Sequence, residues 1–260
     1  MTLDLVLSAP VNLRDLGGIA VDGGVIRDGF AIRTDDLSVV TAEVAAGLVD
    51  RGLRSVIDLR SMDEVAMTGR GPLAGHAEVA YHHIPFLGSI GQAMGDTPPT
   101  QATFGEMYVR MVDRAAPQIV SALAIIAHSP GTTAFHCAAG QDRTGVLAAA
   151  LLLALGAEHE DIVADYARTG ENSAAIQERI RPVVGVLMTR LGFDLDRFAQ
   201  AAQRTEFSDA PMRALLATLT ERHGDPLAPL REAGLTEGLI RRLRERAIAG
   251  LPATGSAAAA

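Results

Sequence analysis

A chain of 260 residues, 48% of them hydrophobic, has the apolar material for a sizeable core and is not a disordered polypeptide. Its formal charge of −8 argues against a general nucleic-acid binder, which needs a basic face to meet phosphate backbones. A single cysteine allows no intramolecular disulfide, and the first ten residues have neither the basic region nor the apolar run of a Sec-type signal peptide. The expected location is the cytoplasm, or the exterior by a route without such a signal.

Taken in chain order, residues 30–33 read as a short strand and 41–51 as a helix, with Thr41 as N-cap and Gly52 as terminator. Residues 53–59 are rich in Val, Ile and Leu and read as a buried strand, and 78–84 as another, ended by Pro85. A Gly- and Pro-rich stretch, 88–100, is expected to be a loop. Residues 104–128 show helical spacing, with Pro117 opening a second segment. Residues 132–136 form a further short strand.

From Thr144 onward almost only helix is predicted: 144–155 up to Gly156, 158–168 ending near Gly170, then 173–191, 194–203, 211–222 and 236–249. The apolar run 146–155 is too short to cross a bilayer and reads as a buried helix, so no integral membrane segment is expected. Strands separated by helices argue for an α/β fold with a central, mainly parallel sheet flanked by helices and a helix-rich C-terminal half. Residues 1–250 are expected to form one domain. Residues 251–260 are expected to be a flexible tail, whose L-P-A-T-G lacks the hydrophobic span and basic end of a sorting signal.

The chemistry concentrates in residues 136–145, which read H-C-A-A-G-Q-D-R-T-G. A loop between a strand end and a helix N-terminus gathers backbone N–H groups into a bowl, and the helix dipole adds positive potential. Ala138, Ala139, Gly140, Gln141, Asp142 and Arg143 are the candidate phosphate-binding residues. Cys137, at the mouth of the bowl, is the candidate nucleophile. A thiol titrates near 8.5, and such surroundings lower that to roughly 3.5–7.5, so a thiolate can attack phosphorus. The planar fork of Arg143 can hold two phosphate oxygens. Gly140 and Gly145 permit the tight curvature.

Thr144 is placed to hydrogen-bond the sulfur, and His136 to order the loop from beneath. Asp142, beside the bound anion, is the first candidate for general acid, because a neighbouring dianion raises a carboxyl pKa. Asp96 and Asp113 are its rivals.

These residues are similar to the signature of the cysteine-based protein tyrosine phosphatases. Further stretches follow in the same order: V-N-L-R-D-L-G-G at 11–18, R-T-D-D-L-S at 33–38, V-I-D-L-R-S at 56–61 and I-V-A-D-Y-A-R-T at 162–169. Together they resemble the bacterial branch that includes mycobacterial protein tyrosine phosphatase B. The resemblance implies a parallel sheet flanked by helices, no metal or other cofactor, and an acid role for the loop aspartate, Asp142. It also implies a helical lid within about residues 170–210. Its substrates would be phosphoproteins or phospholipids. Where that branch has G-K-D-R, this chain has Gln141 in place of Lys, which removes a cation linked with phosphoinositide use.

Asp58 and Arg60 end a buried strand, where ligand sites of α/β folds lie. They have two readings, support of the loop or contact with substrate on one side and an internal salt bridge on the other. Arg14 and Asp15, before Gly17 and Gly18, read as a turn that buttresses the loop. His82 and His83 have no ligand cluster around them, so no metal site is expected. Arg241, Arg242, Arg244 and Arg246 read as a solvated face.

The leading expectation is a protein tyrosine phosphatase, with dual specificity open, acting through a phosphocysteine intermediate. The alternatives are a phosphoinositide phosphatase of the same mechanism, a catalytically silent phosphate-binding module, and a sulfur-transfer enzyme of the rhodanese type.

Overall fold

The computed structural model describes residues 5–86, 101–190 and 207–248. The expected loop 88–100, the rival acid Asp96, the helix 194–203 and the tail 251–260 lie outside the described residues.

Five strands form one sheet: β1 (Arg14–Asp15), β4 (Ala31–Thr34), β5 (Leu53–Asp58), β6 (Ala80–His83) and β7 (Thr132–His136). Their spatial order is β1-β4-β7-β5-β6, with β1 antiparallel at one edge and the other pairs parallel. Two-residue strands β2 (Ala20–Val21) and β3 (Gly24–Val25) make a separate hairpin. The central strand β7 is buried at all five positions, which is why it shows no polar alternation in the sequence.

Side chains alternate between the two faces of the sheet. Ile57 and Phe135 join the larger apolar cluster, and Val56 and Ala134 join the smaller one. The larger cluster is covered by α3 (Gln101–His128), α4 (Asp142–Leu155), α5 (His159–Glu171), α7 (Ala210–His223) and α9 (Glu237–Ala247). The smaller is covered by α1 (Ala42–Asp50), capped by Thr41, and by the short 3-10 turns Leu37–Val39 and Pro72–Gly75. Helices α2 (Met62–Thr68), α6 (Ser173–Arg190) and α8 (Ala228–Glu232) complete the described elements. No helix among the described residues is long and apolar enough to cross a membrane.

Helix α4 begins at Asp142 rather than Thr144, so the acidic residue belongs to the first helical turn. Helix α5 runs to Glu171, ending near Gly170 as expected. Gly170 lies where a Cβ would stand 2.4 Å from the Phe207 ring, so its role is close packing. Helix α3 is broken at Ala115 (φ −112, ψ 18), so Pro117 opens a second segment, as expected from its ring and missing N–H.

Arg244 and Arg246 are not a solvated face. Arg246 donates to the carbonyls of Ile126 and Gly131 and lies over the Phe30 ring, while Arg244 reaches Ala154 O and Asp22. Arg241 and Arg242 do face outward, beside Glu245.

Candidate active site

The register pairs both Thr34 and Asp58 with His136, so three strands end together and their following loops converge. Residues 137–141 fill the crevice beyond the carboxyl ends of these strands, where α/β folds place ligands. Cys137 is 1% exposed and sits at the floor of this loop, not at its mouth. Ala138, Ala139, Gln141 and Asp142 are half-buried around it.

Three successive carbonyls of the loop are tied outward. Asp36 N–H donates to Ala138 O at 3.1 Å, Asn12 Nδ2 to Ala139 O at 3.1 Å, and Arg33 Nη2 to Gly140 O at 3.0 Å. In a planar trans peptide the carbonyl of one residue and the N–H of the next point opposite ways. The N–H groups of Ala139, Gly140 and Gln141 therefore turn inward, which makes a cradle for an anion. Gly140 permits this with φ +68, and a Cβ there would stand 2.5 Å from Thr34 O. Gly145 instead lies inside α4, where a Cβ would stand 3.1 Å from the Tyr166 ring.

Arg143 closes the loop from the first turn of α4. Its Nη1 and Nη2 donate to Glu64 Oε2 and Oε1 at 2.6 and 2.9 Å, so Glu64 takes one edge of the guanidinium plane. The Nε edge is not used by Glu64 and can present two parallel donors to an anion. Burial disfavours the Arg143 cation, but Glu64, and after it Cys137, raise its pKa well above the usual value.

Glu64 was not singled out from the sequence. It is the third residue of α2, where it accepts from Ser61 N–H while Ser61 caps Glu64 N–H. The S-x-x-E spacing directly after strand β5 was the available signal.

Burial alone would raise the Glu64 pKa, and the charge and hydrogen bonds of Arg143 reverse this and hold it at about 2. The sign follows for stability. Glu64 stabilises the fold above its ordinary value of 4.5, and that contribution fades as pH falls towards about 2. The urea midpoint of Glu64→Gln is expected to lie furthest below wild type above pH 4.5, with the gap closing in acid. A gap that stays constant from pH 7 to pH 3 contradicts the assignment.

Asp142 is held by Tyr108, whose hydroxyl donates to Oδ1 at 2.5 Å, and Tyr108 in turn lies 2.8 Å from the Tyr166 hydroxyl. Burial raises the Asp142 pKa, opposed by the Tyr108 bond and the Arg143 charge. Asp113 instead faces Arg222 at 3.6 Å on the outer side of α3. Thr144 Oγ1 is buried in the first turn of α4 with no hydrogen-bond partner among the described residues.

The remaining candidates lie behind the loop. Asp58 and Arg60 are 0% and 1% exposed and form an internal ion pair. Arg60 also binds Asp36, Ser38 and Thr68. The His136 ring is wedged into this network, 3.8 Å from Asp36 and 3.9 Å from Asp58, and its Nδ1 lies 3.1 Å from the Cys137 carbonyl and 3.4 Å from Leu37 N.

Arg14 binds Asp165 at 2.8 Å, together with Thr169 and Asn12, and Arg33 binds the other Asp165 oxygen. Asp165 thus couples helix α5 to the loop through Arg33, a role no single motif revealed. Asp15 caps the turn before Gly17 and also binds Gly29 N–H. Arg179 of α6 pairs with buried Asp35 at 2.5 Å. Among the described residues no group of three or more His, Cys, Asp or Glu could hold a metal.

A model described as the tyrosine phosphatase family matches residues 5–249. The triple specificity protein phosphatase PtpB of Mycobacterium tuberculosis is 27% identical over 90% of this chain and 95% of its own length. A tyrosine-protein phosphatase of Nostoc commune is 33% identical over 52% of this chain and 47% of its own. A putative tyrosine-protein phosphatase of Cupriavidus necator is 30% identical over 67% of this chain and 66% of its own.

Proposed function

The chain belongs to the tyrosine phosphatase family, and from that premise we propose that it hydrolyses phosphate monoesters through a phosphocysteine on Cys137, with phosphotyrosine as the leading substrate. The observation that carries this reading is the outward tying of three carbonyls between Cys137 and Arg143. It leaves an inward cradle of N–H groups above a sulfur, with a guanidinium edge at its rim.

In the first step the Cys137 thiolate attacks phosphorus. The bond from phosphorus to the ester oxygen breaks, and Asp142 gives that oxygen a proton. In the second step water attacks phosphorus, its proton passes to the Asp142 carboxylate, and the sulfur–phosphorus bond breaks. The Thr144 hydroxyl hydrogen-bonds the departing sulfur. Arg143 and the loop N–H groups hold the charge that builds on the equatorial oxygens. His136, Asp58, Arg60 and Arg14 position the loop without touching substrate. Helix α6, latched by Arg179 to Asp35, is the described part of the proposed lid.

The substrate range is read as phosphotyrosine with dual specificity towards phosphoserine and phosphothreonine. "Triple specificity" in the name of PtpB supports a second reading, with a phosphoinositide added. Gln141 weighs against it, because an uncharged amide attracts a multiply charged head group less than an ammonium does.

The test is turnover in EDTA of phosphotyrosine, phosphoserine and phosphoinositide substrates, with mass spectrometry of the acid-quenched Cys137 peptide. The expected result is fastest turnover of phosphotyrosine and a phosphoryl adduct on Cys137. Phosphate binding without turnover of any of them would establish the silent module instead, and persulfide formation from thiosulfate the sulfur-transfer reading.

A further inference from the structure

Asp142 sits at the end of a directed chain of hydrogen bonds. A carboxylate only accepts, so the Tyr108 proton points to Asp142 Oδ1 at 2.5 Å. The Tyr108 oxygen must then accept, and the Tyr166 hydroxyl lies 2.8 Å away to donate. The Gln141 side chain is within hydrogen-bonding reach of Tyr166 in turn. The chain leaves the loop at residue 141 and returns to it at residue 142, passing through α5 and α3.

Tyr108 and Tyr166 are 0% and 1% exposed, so bulk water does not compete for these bonds. Their rings meet edge to face with centroids 6.1 Å apart. Burial, and after it Asp142, keep both phenols above their ordinary pKa, so each hydroxyl retains its proton. The groups facing Asp142 are Tyr108 from α3, Tyr166 from α5 and Arg143 from its own helix.

We infer that Tyr108 is a positioning residue for the general acid. By occupying Oδ1 it fixes the carboxyl plane and leaves Oδ2 to carry the transferred proton, while Tyr166 and Gln141 hold Tyr108 itself in place. This rests on the reading of Asp142 as the acid. In the first step the Oδ2 proton passes to the ester oxygen as its bond to phosphorus breaks. In the second, Oδ2 takes a proton from water as the water oxygen bonds phosphorus and sulfur leaves. The Tyr108 proton stays on Tyr108 throughout.

A residue that only packs would lower activity on every ester alike. A residue that aims the acid matters only where the leaving group needs a proton. The experiment compares kcat/KM of wild type, Tyr108→Phe and Asp142→Asn on phenyl phosphate and on p-nitrophenyl phosphate, whose leaving group departs without help. Tyr108→Phe keeps the ring and is expected to lose about tenfold on phenyl phosphate and less than about twofold on p-nitrophenyl phosphate. Asp142→Asn is expected to show the same split with a larger loss, about 100-fold or more.

The Tyr108 bond lowers the Asp142 pKa, so its loss raises that pKa. The alkaline limb of kcat/KM, where the acid form is lost, is then expected to move to higher pH in Tyr108→Phe. Equal losses on both esters, or none, in Tyr108→Phe beside a clear split in Asp142→Asn would overturn this inference and leave the acid reading standing. No split in Asp142→Asn would overturn the acid reading itself and the inference with it. If Tyr108→Phe does not fold, Tyr166→Phe reads the same split at one remove, and its absence there counts equally against the inference.

Discussion

Cys137→Ser is expected to lower turnover of every phosphate ester by a factor on the order of 10⁴ or more, while phosphate binding stays within about threefold of wild type. A thiol ionises near neutral pH in a positive site, and a hydroxyl does not. Serine would need a base to take its proton, and the nearest imidazole in sequence, His136, is committed elsewhere. Its Nδ1 lies against the Cys137 carbonyl and Leu37 N–H, and its ring lies among Asp36 and Asp58 beneath the loop. The cradle itself does not depend on the sulfur, because its carbonyls are tied by Asn12, Arg33 and Asp36. Stopped assays and calorimetric titration with inorganic phosphate check the two halves. Turnover of the serine variant within a hundredfold of wild type would exclude Cys137 as the nucleophile.

Arg143→Lys is expected to lower kcat/KM by about 10³-fold despite keeping the charge. A guanidinium has two usable edges, and here one is taken by Glu64 at 2.6 and 2.9 Å. An ammonium has no second edge, so it cannot keep Glu64 and hold two phosphate oxygens as well. Arg143→Ala makes a second point. Glu64 is 2% exposed, and without its partner it becomes a buried, uncompensated charge. Unfolding in urea at pH 7 is expected to show a loss of about 3–5 kcal/mol. A lysine variant within tenfold of wild type, or an alanine variant as stable as wild type, would contradict the two-edge arrangement.

The loop was legible in the sequence because its chemistry is contiguous: one strand, five loop residues and a helix start, all within residues 132–145. The buried strands β5 and β7 were legible from their run of apolar and β-branched residues, and Thr41 from its place before a helical spacing. The supports of the loop were not, because each arrives from a distant segment whose local pattern has another explanation. Glu64 already completes a capping box with Ser61, which hides its second partner 79 residues away. Asp165 and Arg33 were visible as letters of a family pattern, but pairing them needs the third dimension.

The tyrosines gave a fainter clue. The chain has only three, and all three hydroxyls meet a carboxylate or another phenol. Strands β1, β2 and β3 are two residues long, too short for any periodicity. Arg244 and Arg246 looked solvated because helical charge runs usually are, yet their long stems reach carbonyls of neighbouring elements.

The bonds that shape the loop are among the longest in the chain when counted along the backbone. Asn12 meets Ala139 across 127 residues, Arg33 meets Gly140 across 107, and Arg14 meets Asp165 across 151. Contacts so remote must meet the entropy of closing a long loop before they return any energy, and they slow folding. On the ribosome, residues 12–36 wait for residues 136–169, a delay on the order of ten seconds at ordinary rates of synthesis. Through that interval β4 lacks its neighbour β7, and the Cys137 loop, once made, has no fixed shape until Arg33 and Asn12 reach it. The shape of the cradle thus depends on contacts across more than 100 residues as well as on the motif, so a nascent chain can carry the whole signature before those contacts are made.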